Sequence, residues 1–221
     1  MKQNEVKNYF EDIAQEFDNI YDNEGTTVTK ITNKLFRKSL YERMPISLEE
    51  CGKIKGKSII DIGCGSGRLC YLLAKENASK IVGVDYSQQM IDIAEKFVKN
   101  KGHEEKIQFQ CVDFFTKYET KEKFDISIAL GVFDYLQFPE KFLEKMKMVT
   151  NGKIIASFPA RYAFQAPIRR VWLYTRKCPV YFYTEPQLQR IFENVGLKEI
   201  KIIKTPLNSL IPTGYVVSAK V

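Results

Sequence analysis

Glycines and carboxylates lie at three points of this 221-residue chain in a pattern that suits ligand binding. The segment Asp61–Gly67, DIGCGSG, begins within a short apolar run, and Asp85 and Asp113 each end a later one. Glycines reach positive φ and let a backbone approach a ligand closely, and a following helix offers free N–H groups. Carboxylates accept strong hydrogen bonds from hydroxyls and amines and attract cations. The pattern therefore predicts a site for a ligand with hydroxyl groups and positive charge.

The glycine segment departs from the dinucleotide-binding pattern G-x-G-x-x-G. Counted from Gly63, the third glycine would fall at Arg68, and counted from Gly65 it would fall at Cys70. A pyrophosphate ligand is therefore disfavoured. A nucleoside that carries a cationic group fits better, because Asp61 supplies a carboxylate beside the bend.

Alternating strands and helices must position these residues. Five apolar runs lack strict alternation with polar residues, which is typical of parallel strands covered on both faces. They are Ser58–Ile62, Ile81–Asp85, Ile107–Val112, Phe124–Leu130 and Lys153–Phe158. Helical stretches separate them, so the order predicts an α/β fold with a parallel sheet flanked by helices. In such sheets ligands bind at the carboxyl ends of the strands, where the glycines and carboxylates fall.

The two ends of the chain differ from this alternation. Apolar spacings of three and four predict helices over Asn4–Phe17 and Thr29–Met44, the second of which we expect Pro45 to end. After a helix at Glu185–Val195, two strands follow without a crossover helix and should pair antiparallel. We therefore expect a helical lid over residues 1–50 and one α/β domain over residues 51–221.

Four segments together resemble the class I S-adenosylmethionine-dependent methyltransferase family. They are IIDIGCGSGRL, IVGVDYSQQMIDIAEK, FQCVDFF and FDISIALGVFDYL, between Ile59 and Phe158. The resemblance implies a Rossmann-like, seven-stranded, mostly parallel sheet with an antiparallel last strand. It also implies S-adenosylmethionine as the cofactor.

The resemblance implies a role for each residue at the cofactor site. The glycines form the turn around methionine and ribose, Asp61 contacts the methionine moiety, and Asp85 accepts from the ribose hydroxyls. Asp113, with Val112 or Phe114, contacts the adenine. Leu130 and Gly131 lie beneath the sulfonium. The complete set for the cofactor is Asp61, Gly63, Cys64, Gly65, Gly67, Asp85, Tyr86, Val112, Asp113, Phe114, Leu130 and Gly131.

The segment after the fourth strand should lie beside the transferred methyl group. Asp134 is a candidate base and Tyr135 a candidate orienting hydroxyl; the alternative is that Asp134 caps a turn and Tyr135 packs. The segment lacks the Asn/Asp-Pro-Pro-Tyr/Phe tetrapeptide of many amino-group methyltransferases, which disfavours nucleobase and glutamine acceptors. His103, the single histidine, falls in a charged loop before the third strand and is expected at the surface.

The segment between the fifth strand and the next helix is rich in arginine and aromatic residues. We expect a cap at about residues 160–183 over the acceptor pocket, in which Arg161, Tyr162, Tyr181 and Tyr183 contact the substrate. Such residues suit an acceptor with a flat or anionic group. The alternative is an amphipathic helix on the sheet edge with solvated arginines. The N-terminal segment YFEDIAQEFDNIY resembles the lid helices of small-molecule methyltransferases of quinone and tetrapyrrole biosynthesis, which implies that Tyr9, Phe10 and Tyr21 cover the cofactor.

Composition narrows the class of protein. The net charge of +7 favours anionic partners. Five cysteines without a CxxC pair, together with one histidine, predict free thiols and no metal site. We see no secretory signal and no apolar run long enough to span a membrane, so we expect a cytoplasmic protein.

Three hypotheses about function follow. The leading one is a methyltransferase that acts on a small-molecule acceptor, at oxygen. The second is an RNA methyltransferase, which the positive charge favours and the absence of an appended RNA-binding module disfavours. The third is a protein that binds S-adenosylmethionine without turnover.

Overall fold

In the computed structural model, the described residues are 6, 11, 42–163, 166–175, 178–207 and 209–221. They contain one seven-stranded sheet in the order β3-β2-β1-β4-β5-β7-β6. The strands are β1 (Ser58–Ile62), β2 (Lys80–Asp85), β3 (Ile107–Cys111), β4 (Phe124–Ala129), β5 (Thr150–Pro159), β6 (Lys198–Thr205) and β7 (Gly214–Lys220).

The direction of the strands confirms the predicted fold class. β1 pairs in parallel with β2 and β4, β2 with β3, and β4 with β5. β7 lies between β5 and β6 and is antiparallel to both, so it is the reversed strand of an otherwise parallel sheet. The carboxyl ends of β1 to β5 therefore meet at one edge of the sheet.

Six helices accompany the sheet between residues 42 and 220, and the isolated described residues 6 and 11 are also helical. They are α1 (residues 42–51), α2 (Arg68–Lys75), α3 (Gln88–Lys99), α4 (Pro139–Met148), α5 (Ala166–Thr175) and α6 (Glu185–Asn194). Short 3₁₀ turns occur at Glu104–Lys106 and Phe133–Tyr135. The Ser87 hydroxyl accepts from Met90 N and caps α3, as its position before that helix suggests.

Two apolar layers cover the faces of the sheet, which explains why the strands read as unbroken apolar runs. Along β1, Ile60 packs in a layer with residues of α4 and α6, whereas Ile59 packs in the other layer with residues of α1 and α2. Successive strand residues point to opposite faces, so both must be apolar when both faces are covered. None of the described helices is long and apolar enough to cross a membrane.

Pro45 does not end the helix that contains it, so the expected boundary was wrong: residues 42–51 are helical throughout. The residues beyond Pro45 are held by tertiary contacts, because Ile46 and Cys51 are buried in the apolar layer of α1 and α2. The Glu50 carboxylate also pairs with Lys201 and accepts from Ser218 Oγ at 2.7 Å. These contacts hold the residues that follow Pro45 in the helix.

Candidate functional site

The glycine segment after β1 forms a tight bend whose φ angles are positive at Gly63, Gly65 and Gly67. The N–H groups of Gly63 and Cys64 both donate to the Val84 carbonyl, at 2.7 and 3.1 Å, and tie the bend to β2. A Cβ at Gly67 would lie 2.9 Å from Ala94 of α3, whereas a Cβ at Gly65 would meet no described atom within 4 Å. The bend is therefore closed toward α3 and open at Gly65, where a ligand can approach the backbone.

Asp85, at the end of β2, holds the open part of the bend in place. One carboxylate oxygen accepts from Gly65 N at 3.0 Å, and the other accepts from Ser87 N at 3.0 Å. Asp85 is buried, and burial raises the pKa of its carboxyl group although these N–H donors oppose that effect. Each carboxylate oxygen has a second lone pair, so the group retains capacity for further donors.

Asp61 lies under the bend and is 2% exposed. Its carboxylate accepts from the Cys70 thiol at 3.3 Å. Burial raises the pKa of Asp61 to about 7, and the nearby Asp85 charge acts in the same direction. A cation beside this carboxyl group would favour its ionised form.

The carboxylate of Asp113 caps the turn that follows β3. It accepts from Phe115 N at 2.9 Å and from the Thr116 hydroxyl at 2.7 Å. Of its two neighbours, Val112 is half-buried, whereas the Phe114 ring packs in the core at 5.4 Å from the ring of Tyr118. Val112 thus has side-chain surface at the sheet edge, whereas the Phe114 ring is directed into the core.

The end of β4 forms the neighbouring part of the same edge. Gly131 has a φ of +79°, and its N–H donates to Ser157 Oγ at 2.8 Å. A Cβ at Gly131 would lie 3.8 Å from Nη1 of Arg43, so α1 approaches the sheet edge here. Leu130 is half-buried and packs against the apolar layer that contains α2.

Asp134 is the centre of a buried ionic cluster that the sequence analysis did not predict. It is 1% exposed, and its carboxylate lies 2.6 Å from Arg169 Nη2 of α5 and 4.0 Å from Arg43 Nη1 of α1. Arg169 also donates to the Tyr135 hydroxyl at 3.4 Å. Burial raises the pKa of Tyr135 to about 12. No spacing in the sequence links residues 43, 134 and 169, so no local pattern reveals this cluster.

Three of the four predicted substrate residues come together in one cavity of about 420 Å³. Arg161, Tyr181 and Tyr183 line it, whereas Tyr162 is 74% exposed and does not. The Tyr183 hydroxyl donates to the Phe133 carbonyl at 3.1 Å, and Tyr181 N donates to the Asp134 carbonyl at 2.8 Å. One wall of the cavity is thus attached to the turn that carries Asp134.

The expected lid falls largely outside the described residues, which include neither Tyr9, Phe10 nor Tyr21. Val6 is described and buried against Leu173 of α5 and Cys178, and Tyr86 packs on this cluster. His103 is half-buried before the amino end of β3, and its ring lies 6.0 Å from that of Tyr71. It is therefore remote from the carboxyl edge, as its position in the sequence suggests.

Comparison with known families adds an independent finding. A family model described as a methyltransferase domain matches residues 53–196 of this chain. The match extends beyond Ile59–Phe158, the part in which the resemblance was visible from motifs, and includes the cavity-lining Arg161 and Tyr183.

Two curated relatives illustrate the range of acceptors among similar proteins. The ubiquinone biosynthesis O-methyltransferase of Coxiella burnetii is 30% identical over 114 residues, which are 50% of this chain and 47% of that protein. A protein-lysine N-methyltransferase of Saccharomyces cerevisiae is 29% identical over 153 residues, 68% of this chain and 62% of that protein. The chain thus spans about half the length of the first relative and less than two thirds of the second.

Among solved structures, magnesium protoporphyrin IX methyltransferase from Synechocystis PCC 6803 with bound SAH has a TM-score of 0.76 to this chain. The two are 18% identical, and the superposition covers 100% of this chain and 99% of the other. At this identity the likeness shows a shared fold.

Proposed function

Because the chain belongs to the class I S-adenosylmethionine-dependent methyltransferase family, we propose that it transfers a methyl group from S-adenosylmethionine to an oxygen atom of a small-molecule acceptor. The observation that carries the proposal is the contact of Asp85 with Gly65 and Ser87. It fixes a buried carboxylate beside an open glycine bend at the carboxyl edge of the sheet, where a nucleoside is bound in folds of this kind.

The residues at this edge fit the cofactor. Gly65 has open space at its α-carbon, Asp85 has free acceptor capacity, and Asp61 supplies a second carboxyl group beneath the bend. When bound, S-adenosylmethionine supplies a methyl group on a sulfonium, which an acceptor atom can attack directly. The remaining work of the protein is to bind, orient and exclude water.

Each cofactor residue has a proposed task. Asp85 accepts from the ribose hydroxyls, and Asp61 faces the cationic methionine moiety. Val112 and Asp113 are proposed to contact the adenine. The members of the set that shape the floor and sides of the site through packing or backbone are Gly63, Cys64, Gly67, Tyr86, Phe114, Leu130 and Gly131.

We propose that Asp134 positions other groups and does not act as the base. Its buried carboxylate lies 2.6 Å from Arg169 and 4.0 Å from Arg43, so it is directed at other groups of the protein. Arg169 in turn reaches the Tyr135 hydroxyl, and we propose that this hydroxyl orients the acceptor. An acceptor that arrives as a phenolate or carboxylate needs no base, because its oxygen is already a nucleophile.

The character of the acceptor is supported by the relatives and by the cap residues. An O-methyltransferase of ubiquinone biosynthesis is among the similar proteins, and Arg161, Tyr181 and Tyr183 suit a flat or anionic molecule. The yeast relative that methylates lysine makes an amino group the second candidate.

Calorimetric titration with S-adenosylhomocysteine tests the cofactor site. We expect one molecule to bind per chain, and Asp85→Ala to weaken binding by about tenfold or more because charge-assisted hydrogen bonds are lost. Asp125→Ala is the matched control, since Asp125 accepts from Ser58 N at 2.8 Å near the amino end of the sheet. An unchanged dissociation constant in Asp85→Ala would contradict the assignment.

Transfer of a labelled methyl group tests the acceptor atom. Phenols and carboxylic acids are offered in parallel with amines of matched size, and the products are identified by mass spectrometry and proton NMR. We expect methyl ethers or methyl esters. If only the amines become labelled, the acceptor atom is nitrogen and the proposal of an oxygen acceptor is wrong.

A further inference from the structure

The cavity beside the 133–135 turn carries an excess of positive charge. We call it the arginine groove and define it by Arg161, Arg170, Arg190, Glu140, Tyr181 and Gln187. Its three guanidinium groups come from three places in the chain: the segment after β5, helix α5 and helix α6. A single carboxylate, that of Glu140, lies on the same lining.

These guanidinium groups take no part in the ion pairs of the described residues. Within the described residues, no carboxylate lies within 4.0 Å of Arg161, Arg170 or Arg190, although six other ion pairs are present. All three arginines are exposed to solvent. Like charges along one groove give it a positive potential, which attracts an anionic ligand.

The walls of the groove are fixed by contacts to the core. Arg161 N donates to the Tyr183 carbonyl at 2.8 Å, and the Tyr183 ring packs on Phe158 with centroids 5.1 Å apart. The Arg170 guanidinium lies over the buried Phe182 ring, 5.4 Å from its centroid. The backbone and the aromatic rings of the groove are therefore already in place, and a ligand has only exposed arginine side chains to order.

The groove adjoins the proposed transfer centre through neighbouring residues of one helix. Arg169 turns inward to Asp134, whereas Arg170 lines the groove, since consecutive helical residues point in different directions. The backbone of Asp134 accepts from Tyr181 N, so the same turn borders both places.

We propose that the arginine groove binds a carboxylate or phosphate group of the methyl acceptor. Guanidinium groups match the planar oxygens of carboxylates and the oxygens of phosphates, and three arginines line this groove. A volume of about 420 Å³ is that of a small-molecule site. This inference rests on the proposed function, and it defines the acceptor as an anionic small molecule whose acidic end is held outside the transfer centre.

Binding of two anions to the full chain tests the groove directly. Citrate serves as a tricarboxylate probe and inorganic pyrophosphate as a phosphate probe, each titrated by calorimetry. We expect saturable binding of at least one probe, about tenfold or more weaker in the double variant Arg161→Gln/Arg190→Gln. The matched control is Lys96→Gln/Lys99→Gln, which removes the same charge from the exposed face of α3 and should bind as the unchanged protein does.

Three results would contradict the proposal that the groove binds an anion. They are no saturable binding of either probe, equal affinity in the groove variant and the unchanged protein, or an equal loss of affinity in both double variants. S-adenosylhomocysteine is titrated in the same samples and should bind all variants alike. If that cofactor product fails to bind the unchanged protein, the proposed function fails while the anion result stands. If S-adenosylhomocysteine binds and the anions do not, only the proposal of anion binding in the groove fails.

Inhibition kinetics test the link to the acceptor. With an acceptor that is turned over, the bound probe should compete with the acceptor and leave the KM for S-adenosylmethionine unchanged. Inhibition that is not competitive with the acceptor would contradict the assignment of the groove to the acceptor.

Discussion

At the scale of single residues, the site depends on carboxyl groups whose surroundings alter their ionisation. Asp61 is 2% exposed, and its carboxylate accepts from the Cys70 thiol at 3.3 Å. Burial raises the pKa of Asp61 to about 7, so this group is half protonated near neutral pH. A cationic ligand above it stabilises the ionised form and therefore couples binding to proton release.

Binding of S-adenosylhomocysteine, which carries an ammonium group, is expected to strengthen as the pH rises. Below the Asp61 pKa of about 7, the protein must lose a proton to bind, and above it the carboxylate is already ionised. The affinity should therefore fall by roughly eightfold from about pH 7.5 to about pH 6, with the release of close to one proton near pH 6. Calorimetry in buffers of different ionisation enthalpy measures both quantities.

Asp61→Asn removes the titrating group and provides the control. The variant should bind more weakly above neutral pH, and its affinity should no longer change between the two pH values. A pH dependence that survives in Asp61→Asn would assign the effect to another group.

At the scale of elements, the glycine bend is shaped by the helix that packs on it. Gly67 has a φ of +73°, and a Cβ there would lie 2.9 Å from both Ala94 of α3 and the Phe109 ring of β3. Gly102 has a φ of +78° but no described atom within 4 Å of such a Cβ. Both positions require a positive φ, but only at Gly67 would an added Cβ meet neighbouring atoms.

Gly67→Ala should therefore destabilise the protein more than Gly102→Ala. The left-handed conformation alone costs an alanine about 1–2 kcal/mol, and the crowding at Gly67 adds about 1–3 kcal/mol. Urea unfolding of the two variants measures the difference. Equal losses of stability would show that the bend relaxes away from α3 without cost.

Three elements that are distant in the sequence meet at Asp134. The carboxylate joins the 133–135 turn to Arg169 of α5 and approaches Arg43 of α1. Breaking a buried pair leaves a charge without compensation, which costs far more than breaking an exposed pair.

Asp134→Asn should lower the free energy of unfolding by about 3–5 kcal/mol. In the double variant with Arg169→Gln the loss should be smaller than the sum of the single losses, because both charges are removed together. Glu122→Gln breaks the exposed Lys80–Glu122 pair and should change stability by no more than about 1 kcal/mol. Additive losses of stability in the double variant would show that the contact between Arg169 and Asp134 does not contribute to the free energy of unfolding.

At the scale of the whole molecule, the net charge of +7 has to be weighed against the shape of the site. Charge of this sign attracts nucleic acid without specificity, and such binding weakens steeply as salt is added. The described cavity has the volume of a small-molecule site and is bordered by the same turn as the proposed transfer centre.

We expect tRNA to bind weakly, with an affinity that falls by orders of magnitude as the salt concentration rises. Incubation with labelled S-adenosylmethionine should leave the tRNA unlabelled at physiological salt. Filter binding at two salt concentrations and scintillation counting measure the two outcomes. Label that enters tRNA would move the proposal to the RNA methyltransferase hypothesis.

The sequence by itself determined the strands, most of the helices and the edge of the sheet that carries the glycines. These features are local: unbroken apolar runs give covered strands, glycines give the bend, and Asp85 follows directly from the end of its strand. The predicted bounds of β1, Ser58–Ile62, are those of the structure.

The tertiary structure decided everything that depends on contacts across the chain. It carries α1 past Pro45, because Ile46 and Cys51 are buried in the core. It pairs Asp134 with Arg169 and gathers Arg161, Arg170 and Arg190 in one groove. The physical reason is that burial and charge pairing depend on which residues become neighbours in space, and neither helical periodicity nor motif spacing contains that information.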